Sequence, residues 1–321
     1  MALYDEIFYI NSDVEFEREA LKLFRFQAEH CAPYAEYIRL IGVDPADVQR
    51  VEDITMLPIE IFKSHKVYCG ENEPQMIFTS SATTGMVQSQ HYVADLALYE
   101  RSFTEAFRQF YGDERECSIY ALLPSYLERE GSSLVYMFER LIASCGGGGF
   151  YLHDYEKLLR DMARDANPKI LLGVTYALLD LAENYAPKLE ETVVMETGGM
   201  KGKRKELPKG ELHKILCSAF GVESIHSEYG MAELMSQAYS FGDGLFRTPK
   251  WMRVLVRDVN NPFARLSAGR RGGLDIIDLA NRFSCAFIAT QDMGVRYKDG
   301  SFRIEGRISQ SDVRGCNLLV Q

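Results

Sequence analysis

The chain has 321 residues, 46% of them hydrophobic and 26% charged, enough apolar material for the core of one large or two moderate globular domains. A formal net charge of −10 removes the electrostatic reason to bind polymeric nucleic acid, and leaves only local basic patches for a small anion. The seven cysteines, at 31, 69, 117, 145, 217, 285 and 316, include no C-x-x-C pair, so reduced thiols in a cytoplasmic protein are expected rather than a zinc or redox motif. The N-terminus has neither the basic start nor the apolar run of a signal peptide. No stretch approaches the ~20 apolar residues of a membrane helix, so no membrane span is expected.

Residues 13–41 read as helical. Phe16, Ala20, Leu23, Phe24, Ala28 and Cys31 recur at helical spacing behind the capping oxygens of Asn11, Ser12 and Asp13, and Pro33 is expected to break or kink the segment. Asp44-Pro45 opens a turn, and Leu57-Pro58 precedes a short helix or extended piece that ends at Lys66. From residue 76 the pattern changes. Met76-Ile77-Phe78 is a short strand, 95–110 a helix and 119–123 a strand. Residues 132–144 are a helix capped at Gly131-Ser132-Ser133, 150–152 a strand and 154–165 a helix. Residues 170–174 are a strand, 176–185 a helix capped by Thr175, and 192–195 a strand. Strands alternating with helices imply a parallel sheet with helices on its faces. The run 146–149 is all glycine and reads as a flexible turn rather than a phosphate cradle, because no helix follows it directly. After residue 245 strands dominate, at 252–256, 274–278, 286–290 and 302–304. Turn signals at Asn260-Asn261-Pro262, Gly272-Gly273 and Asp299-Gly300 separate them, which predicts a mostly antiparallel part.

Four short motifs carry chemistry. Phe78-Thr79-Ser80-Ser81-Ala82-Thr83-Thr84-Gly85 follows a strand and is rich in hydroxyls. Such a tract is either a surface turn or a loop whose hydroxyls and amides surround phosphate oxygens, with Gly85 allowing close backbone approach. It lacks the Gly-Lys-Ser/Thr ending of a P-loop. Tyr229-Gly230-Met231-Ala232-Glu233 offers an aromatic wall for a flat base and a carboxylate for Mg²⁺; otherwise it is an ordinary loop before a helix starting near Met231. Thr290-Gln291-Asp292, at the end of an apolar strand, supplies a carboxylate for ribose hydroxyls or a solvated turn. Gly306-Arg307 follows the last strand. His226 and His91 each lie beside a motif and read equally as site or structural histidines.

In this order the motifs resemble those of the adenylate-forming superfamily of acyl and aryl ligases, from about residue 55 onward. The resemblance implies an α/β fold of the N-terminal-domain type of those enzymes. It assigns ATP phosphates to Ser81, Thr83, Thr84 and Gly85, adenine to Gly198, Gly199, Tyr229 and Gly230, Mg²⁺ to Glu233, ribose to Asp292 and a further nucleotide-binding role to Arg307, which with Gly306 leads into the hinge. The segments 53–63 (Asp-Ile-Thr-Met-Leu-Pro-Ile-Glu-Ile-Phe-Lys), Leu122-Leu123-Pro124-Ser125 and 312–319 are similar to the acyl-protein synthetase branch, the LuxE type. That branch activates a fatty acid with ATP and passes the acyl group to a cysteine near its C-terminus, from which a partner reductase takes it. On this resemblance Cys316 is the acyl acceptor and, with Glu233, a catalytic residue; a buried thiol on a small apolar strand is the other reading of Cys316.

The sequence departs from the superfamily pattern at Ala82, Val87, Gln88, Ala232 and Gln291. Gln88 stands where the phosphate loop has lysine, and Lys201, Lys203, Arg204 and Lys205 are candidates to replace its charge. Only 14 residues follow Arg307, so the superfamily's large mobile C-terminal domain is not expected here. The expected organisation is a helical N-terminal segment at 1–75 packed on the main domain, a catalytic domain at 76–305 with its β-rich part from about 245, and a hinge-like tail at 306–321. The expected substrates are ATP with Mg²⁺ and a fatty acid or other small carboxylate. An acyl reductase and an acyl-transferase are the expected partners. The alternatives are an acyl- or aryl-CoA ligase with a separate C-terminal partner, and a nucleotide-binding, non-catalytic subunit of a reductase complex.

Overall fold

The computed structural model describes residues 5–80, 87–124, 131–198 and 207–308. The fold is α/β and divides into two compact units. The first comprises the described residues of 1–102, 232–236 and 247–308; the second comprises those of 103–231 and 237–246.

The first unit opens with helices Asp13–His30 and Ala32–Leu40. Ser12 caps the first by accepting from the Glu15 amide, and the Glu15 carboxylate reaches back to the Asn11 amide at 2.8 Å. The break expected at Pro33 falls at Cys31, which ends one helix and begins the next, with Pro33 in the first turn where its missing N–H costs nothing. β1 (Leu57–Pro58), β2 (Met76–Thr79) and β3 (Gln90–Val93) follow, and β2 and β3 pair antiparallel.

In the second unit β4 (Ser118–Leu122), β5 (Gly147–Phe150), β6 (Lys169–Val174), β7 (Thr192–Thr197) and β8 (Ile225–Tyr229) are parallel, and β9 (Ala238–Ser240) runs antiparallel beside β8. The described strands lie in the order β9-β8-β7-β6-β4-β5. Helices Ser133–Ser144, Tyr155–Arg164, Thr175–Tyr185 and Lys209–Phe220 lie in the crossovers, as parallel pairing requires. β10 (Phe246–Arg247) leads back to the first unit. There β11 (Met252–Arg257), β12 (Arg271–Asp278), β13 (Phe287–Arg296) and β14 (Phe302–Arg307) form an antiparallel meander, with β1 parallel to β13.

Phe24, Tyr34 and Phe287 form an aromatic cluster in the core of the first unit, with ring centroids 5.9–6.2 Å apart. Gln27 is wholly buried beside it. Its amide donates to the Asn281 and Arg282 carbonyls and accepts from the Ala286 amide, so the first helix is tied to the strands by satisfied polar bonds. Asp275 is also fully buried and is shared by Arg257 and Arg265, which also clamp the Thr290, Glu52 and Ile54 carbonyls.

Several sequence expectations are corrected. The glycine run is strand, not turn: β5 occupies 147–150 instead of 150–152. The reason is steric, because a Cβ on Gly148, at φ +104°, would overlap the Ile119 carbonyl of the neighbouring strand. Gly148→Ala is therefore expected to destabilise the second unit by about 3 kcal/mol or more, read as a lower urea midpoint. Thr175 does not cap its helix. The helix starts at Thr175, and the single Thr175 O–H is shared between two acceptors instead, Glu196 Oε2 and the Gly198 carbonyl, each at 3.2 Å. Among the described cysteines only Cys31 and Cys285 are buried, whereas Cys69, Cys117, Cys145 and Cys217 are partly exposed.

Candidate functional site

In the second unit, Gly198 directly follows β7, and Tyr229 ends β8 with Gly230 next to it. Both lie at the carboxyl ends of parallel strands, where ligands of open α/β sheets bind. The Tyr229 ring meets Phe246 edge-on at 5.8 Å, and the Lys209 ammonium lies 4.7 Å from the Phe246 ring centre. Gly198 adopts φ +67° and Gly230 is pressed by its neighbours: a Cβ there would lie 2.6 Å from Glu228 Oε1.

Two buried glutamates that sequence reasoning missed underlie this edge. The register pairs Glu196 with Ser227 and Thr197 with Glu228, so the two carboxyls occupy opposite faces of the sheet. Glu196 accepts from Ser227 at 2.7 Å and from Thr175 at 3.2 Å, and pairs with Lys209 at 2.8 Å. Burial opposes its charge, but His213, Lys209 and Ser227 outweigh burial and hold its pKa down to about 2. Glu228 has one hydroxyl donor, Thr197 at 2.6 Å, and its pKa is pushed up to about 7 by burial, with Glu196 adding to the rise. Glu196 and Thr197 extend β7 past the apolar run that ended the strand in sequence; a polar strand end at a sheet edge carries no hydrophobic signal.

His226, also on β8, bonds Tyr111 Oη at 3.2 Å through Nδ1 and packs against the Tyr111 and Phe241 rings, which is a structural setting rather than a carboxylate-orienting one.

In the first unit, no helix follows the Tyr229 motif. Residues 232–236 are irregular and held by side chains. The Ala232 carbonyl faces His91 Nδ1 at 2.7 Å, and the Glu233 carbonyl accepts from Asn281 Nδ2 at 2.8 Å. Asp278 accepts from the Met235 and Ser236 amides and from the Ser236 hydroxyl. Asn281 Oδ1 faces His91 Nε2, so both ring nitrogens meet acceptors. Burial lowers the His91 pKa to about 4, so the neutral ring serves one of them. His91 is thus the structural histidine of its two readings.

The Glu233 side chain is 4% exposed. Burial raises its pKa, while a hydrogen bond from Ser89 and the charges of Lys63 and Arg307 pull it back. No group of three or more acid, thiol or imidazole side chains among the described residues can hold a metal. A single carboxylate still suits Mg²⁺, which takes one or two protein carboxylates and completes its shell with phosphates and water.

Asp292 and Arg307 are brought together. They face each other in the β13–β14 register, and Arg307 Nε lies 3.4 Å from Asp292 Oδ1. Both motifs lie inside their strands rather than beyond them, because β13 runs on to Arg296 and β14 to Arg307 with a bulge at Met293/Gly294. The Thr290 hydroxyl accepts from the Asp292 amide at 3.1 Å. Ser81, Thr83, Thr84, Gly85, Gly199, the basic residues 201–205 and Cys316 lie outside the described residues. Of the phosphate tract's flanks, Ser80 and Ser89 bridge β2 and β3, with the Ser89 amide donating to the Ser80 hydroxyl at 2.9 Å, and Gln88 is exposed.

Residues 8–107 match the family model described as acyl-protein synthetase, LuxE. A stretch of 67 residues, 21% of this chain, is 34% identical to the long-chain-fatty-acid–luciferin-component ligase of Photorhabdus luminescens and spans 57% of that ligase. Among solved structures, 2-hydroxyisobutyryl-CoA ligase in an open conformation with 2-HIB-AMP and CoA is similar at a TM-score of 0.69. The match has 15% identity and covers 93% of this chain and 75% of that one. ATP-bound MatB from Rhodopseudomonas palustris is similar at a TM-score of 0.53 and 17% identity, over 83% of this chain and 51% of that one. At such identities the likeness to these structures is one of fold. No helix among the described residues is long and apolar enough to cross a membrane. The match extends the resemblance N-terminally to residue 8, into helices whose periodicity alone carried no family signal. Residues 8–107 are thus similar to the acyl-protein synthetase, LuxE, family model, in a chain whose fold is like that of 2-hydroxyisobutyryl-CoA ligase.

Proposed function

We propose that the protein is an AMP-forming acid–thiol ligase that activates a fatty acid with ATP and transfers the acyl group to a protein cysteine. The observation that carries this reading is the acyl-protein synthetase match over residues 8–107 on a fold shared with ATP-bound ligases. The fatty carboxylate attacks the α-phosphorus of ATP, the bond to the β-phosphate oxygen breaks, and pyrophosphate leaves. The Cys316 thiolate then attacks the acyl carbonyl, and AMP leaves as the thioester forms. The thiol proton passes to solvent.

Each motif residue has a place in this scheme. Asp292 accepts the ribose hydroxyls, with Arg307 fixing its carboxylate. Tyr229 provides a flat wall for adenine, and Gly198, Gly199 and Gly230 are its proposed glycine neighbours in binding the base. Ser81, Thr83, Thr84 and Gly85 surround phosphate oxygens. Glu233 is the residue suited to hold Mg²⁺, which when bound neutralises phosphate charge. Gln88 leaves the phosphate loop one positive charge short, and the basic run 201–205 is the replacement that the sequence offers. An acyl reductase that takes the acyl group from the cysteine is the proposed partner.

The test is incubation with ATP, Mg²⁺ and a panel of fatty acids, followed by intact mass and AMP measurement. AMP release with an acyl adduct that disappears in Cys316→Ser is the expected result. An adduct that survives that substitution moves the acceptor to another residue. Formation of free acyl-CoA when CoA is added would favour a CoA ligase, and absence of both AMP and adduct across the panel would sink the enzymatic reading.

A further inference from the structure

The Tyr229–Gly230 turn rests on a polar arrangement that the reaction scheme does not use. Glu228 is buried beneath it. Its Oε1 lies 2.6 Å from where a Cβ of residue 230 would stand and Gln237 Cγ lies 3.4 Å from the same point, so both side chains border Gly230, on the one face that the β8–β9 register gives them. Gln237 is 4% exposed, and its Oε1 is a buried acceptor with no hydrogen-bond partner. Thr197 donates to the Glu228 carboxyl from the other side. An ionised carboxylate offers Gln237 Oε1 nothing, because both are acceptors only. A neutral carboxylic acid has one O–H, and Gln237 Oε1 is the acceptor left without one.

The surroundings favour the neutral acid. On β8 itself His226 lies on the same face two residues back, and Tyr239 pairs with Glu228 from β9. Tyr111 approaches from the helix Leu96–Tyr111, bonded to His226 and packed on Tyr239 with ring centroids 5.3 Å apart. None of these supplies a permanent positive charge. Lys209 and His213 serve Glu196 on the opposite face, and no Lys or Arg among the described residues forms an ion pair with Glu228.

We propose that Glu228 is a positioning residue that holds the Tyr229–Gly230 turn in its nucleotide-receiving shape as a neutral acid, accepting from Thr197 and donating its proton to Gln237. The proposal rests on the adenylate reading only in giving that turn a base to receive. Loss of the proton places two acceptors against each other under Gly230 and loosens the turn. ATP affinity therefore falls as pH rises through neutrality, by up to roughly tenfold per pH unit beyond the transition.

The experiment compares ATP binding by calorimetry, at fixed Mg²⁺, in the wild type and in Glu228→Gln from pH 5.5 to 9. The glutamine keeps an acceptor for Thr197 and carries no titrating proton, so the ratio of the two affinities cancels the titration of ATP itself. The expected result is a ratio that diverges above neutral pH; a ratio constant across the range overturns the proposal. Two further variants move the transition in opposite senses. Thr197→Val removes a donor that favours the anion and shifts the loss to higher pH; Gln237→Met removes the acceptor of the proton and shifts it to lower pH. Identical midpoints in both also overturn it. Thermal unfolding gives a readout independent of nucleotide. A carboxyl that binds its proton more tightly when folded costs the wild type stability relative to Glu228→Gln between about pH 4.5 and about pH 7, with no further change above. No such slope overturns the neutral acid even where ATP binds. The slope without ATP binding in any variant places the failure in the adenylate reading instead, and with it the turn's role.

Discussion

Asp278→Ala is expected to lower the stability of the first unit by about 3–5 kcal/mol and to release the segment that carries Glu233. Asp278 is 0% exposed and accepts from four donors: the Met235 amide at 2.8 Å, the Ser236 amide at 2.9 Å, the Ser236 hydroxyl at 2.6 Å and the Ala280 amide at 3.2 Å. Alanine leaves these groups buried without an acceptor, at about 1–3 kcal/mol for each that water cannot reach. The Ser236 hydroxyl also accepts from Trp251 Nε1 at 2.8 Å and sits 3.0 Å from the Ser102 hydroxyl, so the loss spreads into the core. Asp278→Asn is the control. It keeps one accepting oxygen but turns an NH₂ toward donors, so its loss is intermediate. Urea unfolding with an unchanged slope and a midpoint in the order wild type, Asn, Ala is the expected result. An alanine variant within 1 kcal/mol of the wild type would show that residues 232–236 are held by His91 and Asn281 alone.

Asp278 and Asn281 also show where sequence reading stops. The strand that ends at Asp278 was legible from its apolar run, and so was the division into a parallel part and an antiparallel part. Periodicity reports which residues face a core, and both patterns are strong here. The motifs could be located but not joined: Tyr229 falls at a strand end, and only the register shows that Asp292 and Arg307 are paired. The polar supports were not legible. Asp278 lies 42 residues from Ser236 in sequence, and His91 lies 190 from Asn281. Such contacts exist only once the strands have paired, and aspartate or asparagine after a strand reads first as a turn residue. The same logic hid Glu196 and Glu228. Each is an acidic residue near the polar end of its strand, and only the sheet register shows that they lie on opposite faces with different partners. Gly148 failed for the opposite reason: four successive glycines read as a break, whereas the neighbouring Ile119 carbonyl excludes any side chain there.

The second large effect concerns the reaction itself. Asp292→Ala is expected to weaken ATP use by about 30- to 1000-fold, as a rise in the KM for ATP, while the fold is retained. Asp292 is 9% exposed at its place on β13, where the Thr290 hydroxyl accepts from its backbone amide and Arg307 lies against one carboxylate oxygen. A hydrogen bond to a charged acceptor contributes about 1.5–3 kcal/mol, and one or two to ribose hydroxyls give roughly 2–4 kcal/mol in practice. At about 1.4 kcal/mol per factor of ten this yields the stated range. Arg307→Ala is expected to have a smaller effect. Its side chain is 78% exposed, so solvent screens the pair and the arginine acts by orienting Asp292 rather than by adding stability. Asp292→Asn separates charge from shape, because the amide still accepts one hydroxyl but lacks the charge, and it should fall between alanine and the wild type. Initial rates of AMP release at varied ATP and saturating fatty acid measure the effect, and the KM for the fatty acid should remain within about twofold of the wild type if Asp292 contacts nucleotide alone. An alanine variant with an unaltered KM for ATP would remove Asp292 from the nucleotide site, and the β13–β14 pair would then be a structural ion pair.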